Sequence, residues 1–319
     1  MRGWLPAALL ACALAAHGEP WSFAVIGDTP YSDAERRELP ALLAAAAQSG
    51  ARFILHAGDI KRGKDPCDDA LYADRRALFD AAPIPLIFAP GDNEWTDCAR
   101  LSAGSYLPEE RLAKLRTVFW PDDQSLGASK RPVERQSADF PEHGRFREGA
   151  VLFLSLNVPG GDNHRGVAFR PPAEFTAREA AISRWLRESF ALARNEELAA
   201  VVILMQGDPG FTSFGRGIPR RGFAELLRTV RAETLAFPGS VLLIHGDGHN
   251  HHIDQPLRDD QGRPYSRFTR LETYGYFALG WVRVTPDAAV PGGFRFDSLP
   301  WKEAPSPQEW ALRGFFGMR

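Results

Sequence analysis

The sequence predicts an α/β fold in which a mainly parallel sheet is covered by helices. Apolar runs of strand length alternate with alanine- and leucine-rich runs of helix length, an order typical of βαβ units. The predicted strands end in polar turns that contain glycine, as at Gly27-Asp28 and Gly58-Asp59. The chain has 319 residues, of which 44% are hydrophobic and 24% charged, and this composition supports one substantial core.

Each predicted element follows from a local pattern. Continuous apolar runs predict buried strands, and periodic runs that close at a glycine or start at a capping residue predict helices. The polar stretch 122–149 predicts a long surface excursion, and 274–284 predicts antiparallel edge strands. The predicted strands are 22–26, 53–57, 85–89, 151–156, 199–205 and 240–244, and the predicted helices are 34–48, 71–82 and 172–195.

Composition also limits the possible partners. The formal net charge is −2, so no overall field attracts nucleic acid or a membrane surface. The densest group of arginines, Arg216, Arg220 and Arg221, is too small to change that expectation. No repeat or low-complexity linker divides the chain, which predicts one domain over 19–319. The sequence gives no indication of oligomeric state.

Residues 1–18 are typical of a secretory leader. Arg2 precedes an apolar run over 4–15, and small residues follow it at the expected cleavage region. The run is too short for a standard transmembrane span. A second interpretation takes Leu9-Leu10-Ala11-Cys12 as a lipobox, which would make Cys12 a lipid anchor. We expect export to the periplasm or the medium in either case.

Two further cysteines are consistent with export. Cys67 and Cys98 both lie in polar loops that follow candidate site motifs, and a disulfide between them is plausible in an oxidising compartment. The alternative is a pair of thiols that never meet, because their spacing alone is not diagnostic.

Polar residues at the strand ends carry the functional signal. In open α/β sheets, ligands bind outside the carboxyl ends of the strands, so these residues are expected to share one crevice. Adjacent glycines permit the tight turns that this requires. Several carboxylates in one crevice repel one another unless a cation holds them, so the convergence predicts a metal site. The residues concerned are Asp28, Asp59, Asp92, Gln206, Asp247 and His249.

The order of these motifs resembles that of the calcineurin-like metallophosphoesterases. That family has Asp-x-His, Gly-Asp, Gly-Asn-His-Glu/Asp, a lone His and Gly-His-x-His. Here the corresponding motifs are Gly27-Asp28, Gly58-Asp59, Gly91-Asp92-Asn93-Glu94, a polar strand end and Gly-x-x-His, over about residues 22–255. The resemblance implies mixed β-sheets sandwiched by helices, with a metal crevice at the C-terminal ends of the strands.

The resemblance also implies roles for individual residues. Asp28 would bind the first metal, Asp59 would bridge two metals, and Asp92 stands where the family has an asparagine ligand of the second metal. Pro30 replaces the histidine of the first motif, and Tyr31 beside it is a possible substitute.

Two more departures affect catalysis and the remaining ligands. Asn93 replaces the histidine that protonates the leaving group in the family, and Gln206 replaces the lone histidine ligand. The last motif has two registers. Gly246-Asp247-Gly248-His249, the preferred one, makes Asp247 and His249 ligands. Gly248-His249-Asn250-His251 matches the family literally. The candidate catalytic residues are Asn93, His249 and His251.

These observations predict an exported metal-dependent phosphoesterase that acts on a small phosphate monoester or diester. Oxygen ligands favour Mn²⁺, Mg²⁺ or Ca²⁺ over Zn²⁺, and the loss of imidazoles leaves one or two ions possible. No nucleic-acid partner and no transmembrane span are expected. The alternative is a non-catalytic descendant of the fold that binds a metal or another ligand.

Overall fold

The computed structural model describes residues 20–259 and 261–301. The predicted leader and Cys12 lie outside the described residues. The strands are Ser22–Ile26 (β1), Ala51–His56 (β2), Leu86–Phe88 (β3), Glu134–Ser137 (β4), Phe140–Glu148 (β5), Val151–Ser155 (β6), Ala200–Leu204 (β7), Ser240–His245 (β8), His252–Asp254 (β9), Phe268–Glu272 (β10), Gly280–Pro286 (β11) and Phe294–Pro300 (β12). The helices are Asp33–Gln48 (α1), Asp69–Asp80 (α2), Pro108–Phe119 (α3), Gly160–Asn163 (α4), Ala173–Asn195 (α5), Phe211–Gly215 (α6) and Ala224–Ala236 (α7).

The strands form two mixed sheets. One has the order β12-β11-β1-β2-β3 and the other the order β4-β5-β6-β7-β8-β10-β9. Strands β1, β2 and β3 are parallel, as are β6, β7, β8 and β10, whereas the outer strands run antiparallel. Parallel neighbours need crossover connections, and α1, α2, α5 and α7 lie in four of them. The connection from β8 to β10 contains the short strand β9 instead of a helix.

The two sheets pack face to face, and helices cover both outer faces. Phe23 stacks on Phe53 with ring centroids 5.4 Å apart, and Phe153 of the other sheet meets Phe23 edge-on at 5.1 Å. A second buried cluster lies between the first sheet and α1–α3, and a third lies between the second sheet and α5 and α7. The architecture is therefore a helix–sheet–sheet–helix sandwich, and the predicted fold class is confirmed.

Two of the sequence expectations are wrong in detail. The stretch 122–149 contains β4 and β5, which continue the second sheet. Their sequences are polar because β4 is an edge strand and because buried Glu142 of β5 pairs with Arg116 of α3 at 2.6 Å. The antiparallel edge strands expected over 274–284 are a single strand, β11, that begins at Gly280 after a loop over 274–279. It is antiparallel but not at the edge, because it pairs with β1 on one side and β12 on the other.

Cys67 and Cys98 form a disulfide with their Cα atoms 5.7 Å apart, as the sequence suggested. Both sulfurs lie close to the carbonyl oxygen of Asn93, at 3.7 and 3.8 Å, so the bridge supports the turn that carries the third motif. None of the helices in the described ranges is long and apolar enough to cross a membrane.

Candidate metal centre

Four aspartates meet at the carboxyl ends of strands from both sheets. Asp28 follows β1 and its backbone N–H donates to the carbonyl of Gly58 at 2.9 Å, which joins the first two motifs. The backbone N–H of Asp247, which follows β8 of the other sheet, donates to Oδ1 of Asp28 at 3.1 Å. The first and last motifs, 219 residues apart in sequence, are therefore in direct contact.

The surroundings of Gly160 show how close Asp92 and Asp247 lie to each other. A Cβ atom placed on Gly160 would stand 2.6 Å from Oδ1 of Asp247 and 2.9 Å from Oδ2 of Asp92. Only glycine fits at such a point, and its backbone separates two carboxylates of different motifs. Asp92 therefore joins the same crevice as Asp28 and Asp247.

The backbone at these positions is unusual for residues other than glycine. The φ angles of Asp28, Asp59, Asp247 and His249 are 50°, 58°, 74° and 55°, all in the left-handed region. Aspartate and histidine tolerate this region better than most residues, but it still costs free energy. Such backbone strain concentrates at functional sites, and here it turns each side chain from the end of its strand toward the crevice.

Glu94 holds the turns of the second and third motifs in place. Its carboxylate is fully buried and accepts hydrogen bonds from the backbone N–H groups of Gly91, Asp59 and Ile60. The side chain of Lys61 is buried nearby. Burial lowers the pKa of its ammonium overall, and the charges of Glu94 and Asp59 act against that shift. Glu94 thus connects the second and third motifs as a structural acceptor.

Tyr31 occupies the centre of a polar network. Its hydroxyl donates to Oδ2 of Asp59 at 2.7 Å and accepts from Nδ2 of Asn93 at 2.7 Å. Nε2 of His249 lies 3.3 Å from the same oxygen. Tyr31 thus links the first motif to residues of the second, third and last motifs.

His249 faces the crevice through one ring nitrogen. Its Nδ1 donates to the carbonyl of Tyr276 at 2.9 Å, which leaves the lone pair of Nε2 toward Asp28 Oδ1 at 3.6 Å. Burial lowers the pKa of His249, which favours the neutral ring. A neutral imidazole with a fixed Nδ1–H is the form that binds a metal or accepts a proton.

Burial and mutual repulsion raise the pKa values of the four aspartates. For Asp28 and Asp59, burial raises the pKa well above the ordinary range, and the charge of Asp92 raises both further. Burial and the charge of Asp247 raise the pKa of Asp92 to about 7. The pKa of Asp247 is also raised, mainly by burial. The crevice therefore holds more negative charge than its own hydrogen bonds stabilise.

These carboxylates follow glycine turns at strand ends of a two-sheet sandwich, in the motif order that the sequence presents. The fold, two mixed β-sheets sandwiched by helices, is the one that this motif order implies.

The sequence analysis missed Thr273, which donates to Asp28 Oδ2 at 3.2 Å. No pattern predicted β10, the strand that Thr273 follows.

Two solved enzyme structures are similar to 88% of this chain. One is a dimetal phosphatase from Danio rerio, with 13% identity, a TM-score of 0.48 and 99% of that chain covered. The other is a purple acid phosphatase from seeds of yellow lupin (Lupinus luteus), with 11% identity, a TM-score of 0.48 and 51% covered, so this chain spans about half of it. A hypothetical protein from Thermus thermophilus is 11% identical with a TM-score of 0.42. No protein-family model and no curated protein sequence matches the chain.

Gln206 differs from the role of ligand that the sequence suggested. It is fully buried, and its Oε1 accepts from the backbone N–H of Gly160 at 2.6 Å. The group left without a partner is Nε2, which is a donor and cannot bind a metal. Gln206 therefore holds the turn after Gly160, in which Asp162 and Asn163 adopt left-handed dihedrals.

His251 also differs from the expectation. Its Nδ1 donates to the carbonyl of Glu272 and its Nε2 contacts Ser298 Oγ, both at 2.8 Å, while its ring stacks on Tyr274. Both nitrogens are thus engaged away from the four aspartates. The structure instead places Asp247 and His249 beside Asp28.

The donor set fits a divalent cation in its chemistry. Four carboxylates with raised pKa values and one neutral imidazole suit a hard or intermediate ion. Within residues 20–259 and 261–301, no group of three or more His, Cys, Asp or Glu side chains is already arranged as metal ligands. The oxygens of Asp28 and Asp59 are turned toward protein donors instead, so binding requires their side chains to rotate.

The raised pKa of Asp92 predicts a pH dependence of stability in chelator. An unfolded aspartate titrates near 3.8 and this one near 7, so the folded state holds the proton more tightly. Its stabilising contribution is complete below the unfolded pKa and is lost as the pH rises through 7. We expect Asp92→Asn to raise the free energy of unfolding at pH 8 by about 2–4 kcal/mol relative to wild type, and by much less at pH 4.

Urea unfolding at both pH values, in EDTA, measures this difference. Asp139→Asn, a change of the same charge at an exposed position, serves as the control and is expected to show no such pH dependence. An Asp92→Asn variant that is less stable than wild type at pH 8 would contradict the assigned repulsion.

Proposed function

We propose that this chain is an exported metal-dependent phosphoesterase that hydrolyses small phosphate monoesters or diesters. The observation that carries the proposal is the meeting of Asp28, Asp59, Asp92 and Asp247 at the strand ends of both sheets. Isolated buried carboxylates are costly, and a cluster of four is consistent with a site whose natural content is a cation. The disulfide is consistent with an oxidising compartment.

The proposal gives each crevice residue a role. The four aspartates and His249 Nε2 would hold one or two divalent cations, with Mn²⁺, Mg²⁺ or Ca²⁺ preferred for oxygen ligands. A bound cation would supply Lewis-acid stabilisation of the charge on the phosphoryl group. The remaining residues of the chain then orient the ligands and move protons.

Tyr31 is a proton-bearing group beside Asn93, which stands where the family has its leaving-group histidine. Asn93 has no acidic proton, whereas the Tyr31 hydroxyl lies 2.7 Å from both Asp59 Oδ2 and Asn93 Nδ2. Burial raises the pKa of Tyr31 well above 10, so the phenol stays protonated and can donate throughout the working range. We therefore assign Tyr31 to hold Asp59 in position through the hydroxyl proton that it donates to Oδ2.

Tyr31→Phe tests that assignment. Removing the hydroxyl is expected to lower kcat by about 10–100-fold with a smaller change in KM, because a group that orients a ligand acts mainly on the reacting complex. Tyr106→Phe removes a phenol outside this network and serves as the control. Unchanged kcat in Tyr31→Phe would contradict the role.

The function itself is tested with aryl phosphate mono- and diesters in Mn²⁺, Mg²⁺, Ca²⁺ or Zn²⁺, after purification without chelator and elemental analysis of the metal content. Turnover that depends on the metal supports the enzyme. If neither turnover nor metal-dependent thermal stabilisation is observed, the crevice has only a structural role and the proposal is wrong.

One observation favours a second candidate, a non-catalytic protein that binds a metal or another ligand. Asn93 stands where the family has its leaving-group acid, and its Nδ2 is engaged with Tyr31 and Asp59. Loss of a general acid typically costs about 10²–10⁴-fold in rate. Metal-dependent stabilisation without turnover would support this candidate.

A further inference from the structure

Two loops beside the crevice carry positive charge and exposed apolar side chains together. We name residues 164–172 and 213–221 the rim loops. They contain five arginines and no acidic residue, although the whole chain has a net charge of −2. Their apolar side chains Val167, Phe169 and Ile218 are 99%, 91% and 70% exposed. Among the residues that the structure describes, these are three of six large hydrophobic side chains that are exposed.

The bases of the rim loops are joined to each other. Asn163 Nδ2 donates to the carbonyl of Gly222 at 2.8 Å, and the N–H of Gly222 donates to Asp162 Oδ1 at 3.0 Å. These contacts lie next to Gly160, which separates Asp92 from Asp247. The rim loops therefore emerge side by side at the edge of the crevice.

The first rim loop is braced so that its apolar side chains stay in water. Arg165 is buried, and its guanidinium donates to the backbone carbonyls of Gly166 at 2.9 Å and Ala168 at 3.1 Å. The loop therefore has an internal support, while Val167 and Phe169 project outward. Exposing apolar side chains from a supported loop is unfavourable unless a partner removes them from water.

The second rim loop is braced in a similar way. The N–H of Ile218 donates to the carbonyl of Ser213 at 3.0 Å, and Arg220 donates to the carbonyl of Asp208 at 2.8 Å. The exposed arginines of the two loops are Arg170, Arg216 and Arg221, and none of them has an ion-pair partner in the described part of the chain. Their charge is available to an external anion.

We propose that the rim loops dock this protein on an anionic phospholipid surface. Apolar side chains inserted at the boundary of headgroups and acyl chains, with arginines at the headgroup level, are the combination that such a surface attracts. A stable protein interface needs about 800 Å² from each partner, which is more than three projecting side chains provide. Of the three apolar side chains, only Phe169 offers a stacking face to nucleic-acid bases, whereas single-strand binding uses aromatic side chains for successive bases. This inference does not depend on catalysis in the crevice.

Vesicle binding by the full chain tests the proposal. Wild type is expected to bind vesicles of equal parts phosphatidylcholine and phosphatidylglycerol at least about tenfold more strongly than vesicles of phosphatidylcholine alone. Two sets of changes are each expected to weaken that binding by about tenfold. The apolar set is Val167→Ser, Phe169→Ser and Ile218→Ser, and the charge set is Arg170→Glu and Arg216→Glu.

Matched controls place the same changes elsewhere on the surface. Leu101 and Leu107 are 89% and 72% exposed, and Leu101→Ser with Leu107→Ser controls for the apolar set. Arg37→Glu with Arg184→Glu, both at exposed positions, controls for the charge set. The N-terminal apolar segment is the same in every variant, so differences among variants report on the loops. Turnover of a soluble aryl phosphate, measured in parallel, separates this proposal from the proposed function.

Three outcomes would overturn the proposal. Wild type could show no preference for phosphatidylglycerol, or the loop variants could bind as well as their controls. Wild type could also form a concentration-dependent dimer that the apolar set abolishes, which would identify a second copy of the chain as the occupant. Circular dichroism of each variant shows that a loss of binding is not a loss of fold.

Discussion

If the proposed function holds, Asp59→Asn is expected to lower kcat/KM for a phosphate ester by at least about 10³-fold, because it removes a carboxylate proposed to hold the cation. Asp59 contacts Tyr31 and Asn93 and raises the pKa of the former, so it lies where the motifs of the first sheet converge. Stabilisation of the fold by added Mn²⁺ is expected to disappear in the same variant.

The stability of this variant distinguishes a lost ligand from a damaged fold. Burial and neighbouring charges raise the pKa of Asp59, so its ionised form is unfavourable in the folded protein without metal. The free energy of unfolding in EDTA at pH 8 is therefore expected not to fall. Asp139→Asn, at an exposed position, is the control for both measurements. Wild-type turnover in Asp59→Asn would refute the assigned centre.

Removal of the disulfide has the largest expected effect on stability. Cys67 and Cys98 are separated by 31 residues, and a loop of that length predicts a loss of about 3–4 kcal/mol from the chain entropy of the unfolded state. The change is a double substitution, Cys67→Ala with Cys98→Ala, measured by urea unfolding against wild type.

Activity is expected to fall with stability in this double variant. Both sulfurs contact the carbonyl of Asn93, and Tyr72 donates to the adjacent carbonyl of Glu94 at 2.7 Å, so the bridge and Tyr72 together hold the third motif. Reduction of wild type by dithiothreitol is expected to reproduce the loss. A double variant as stable as wild type would contradict the entropic contribution.

Local sequence patterns were sufficient for much of the fold. The apolar runs that became β1, β6, β7 and β8 are buried on both faces, and such strands are apolar throughout, which makes them visible without any knowledge of their neighbours. The glycine and aspartate that follow β1 were equally visible, because a tight turn at a strand end restricts residue type locally.

Local patterns did not predict the polar strands β4 and β5, for the converse reason. Strand β5 contains a proline, a histidine and charged residues, and it is stable as a strand because Arg116 from a distant helix neutralises its buried Glu142. The partner that makes such a residue acceptable lies 26 positions away, so no local pattern reveals it. The same holds for Thr273, whose contact with Asp28 spans 245 residues.

The charge of the rim loops illustrates the same limit. Along the sequence, Arg216, Arg220 and Arg221 form a small group, and Arg170 lies far from them in the chain. The hydrogen bonds of Gly222 with Asn163 and Asp162 bring the two segments side by side, and the local charge then differs from the net charge of the chain.

The sequence alone determined the strand ends, the carboxylates that occupy them and the family order in which they occur, because these depend on residues adjacent in the chain. Only the tertiary structure decided the orientation of each side chain. It directed Gln206 to the backbone of Gly160, His251 to Ser298 and the Tyr31 hydroxyl to Asp59. Such choices depend on hydrogen-bond partners contributed by distant segments, and those partners exist only once the two sheets have packed together.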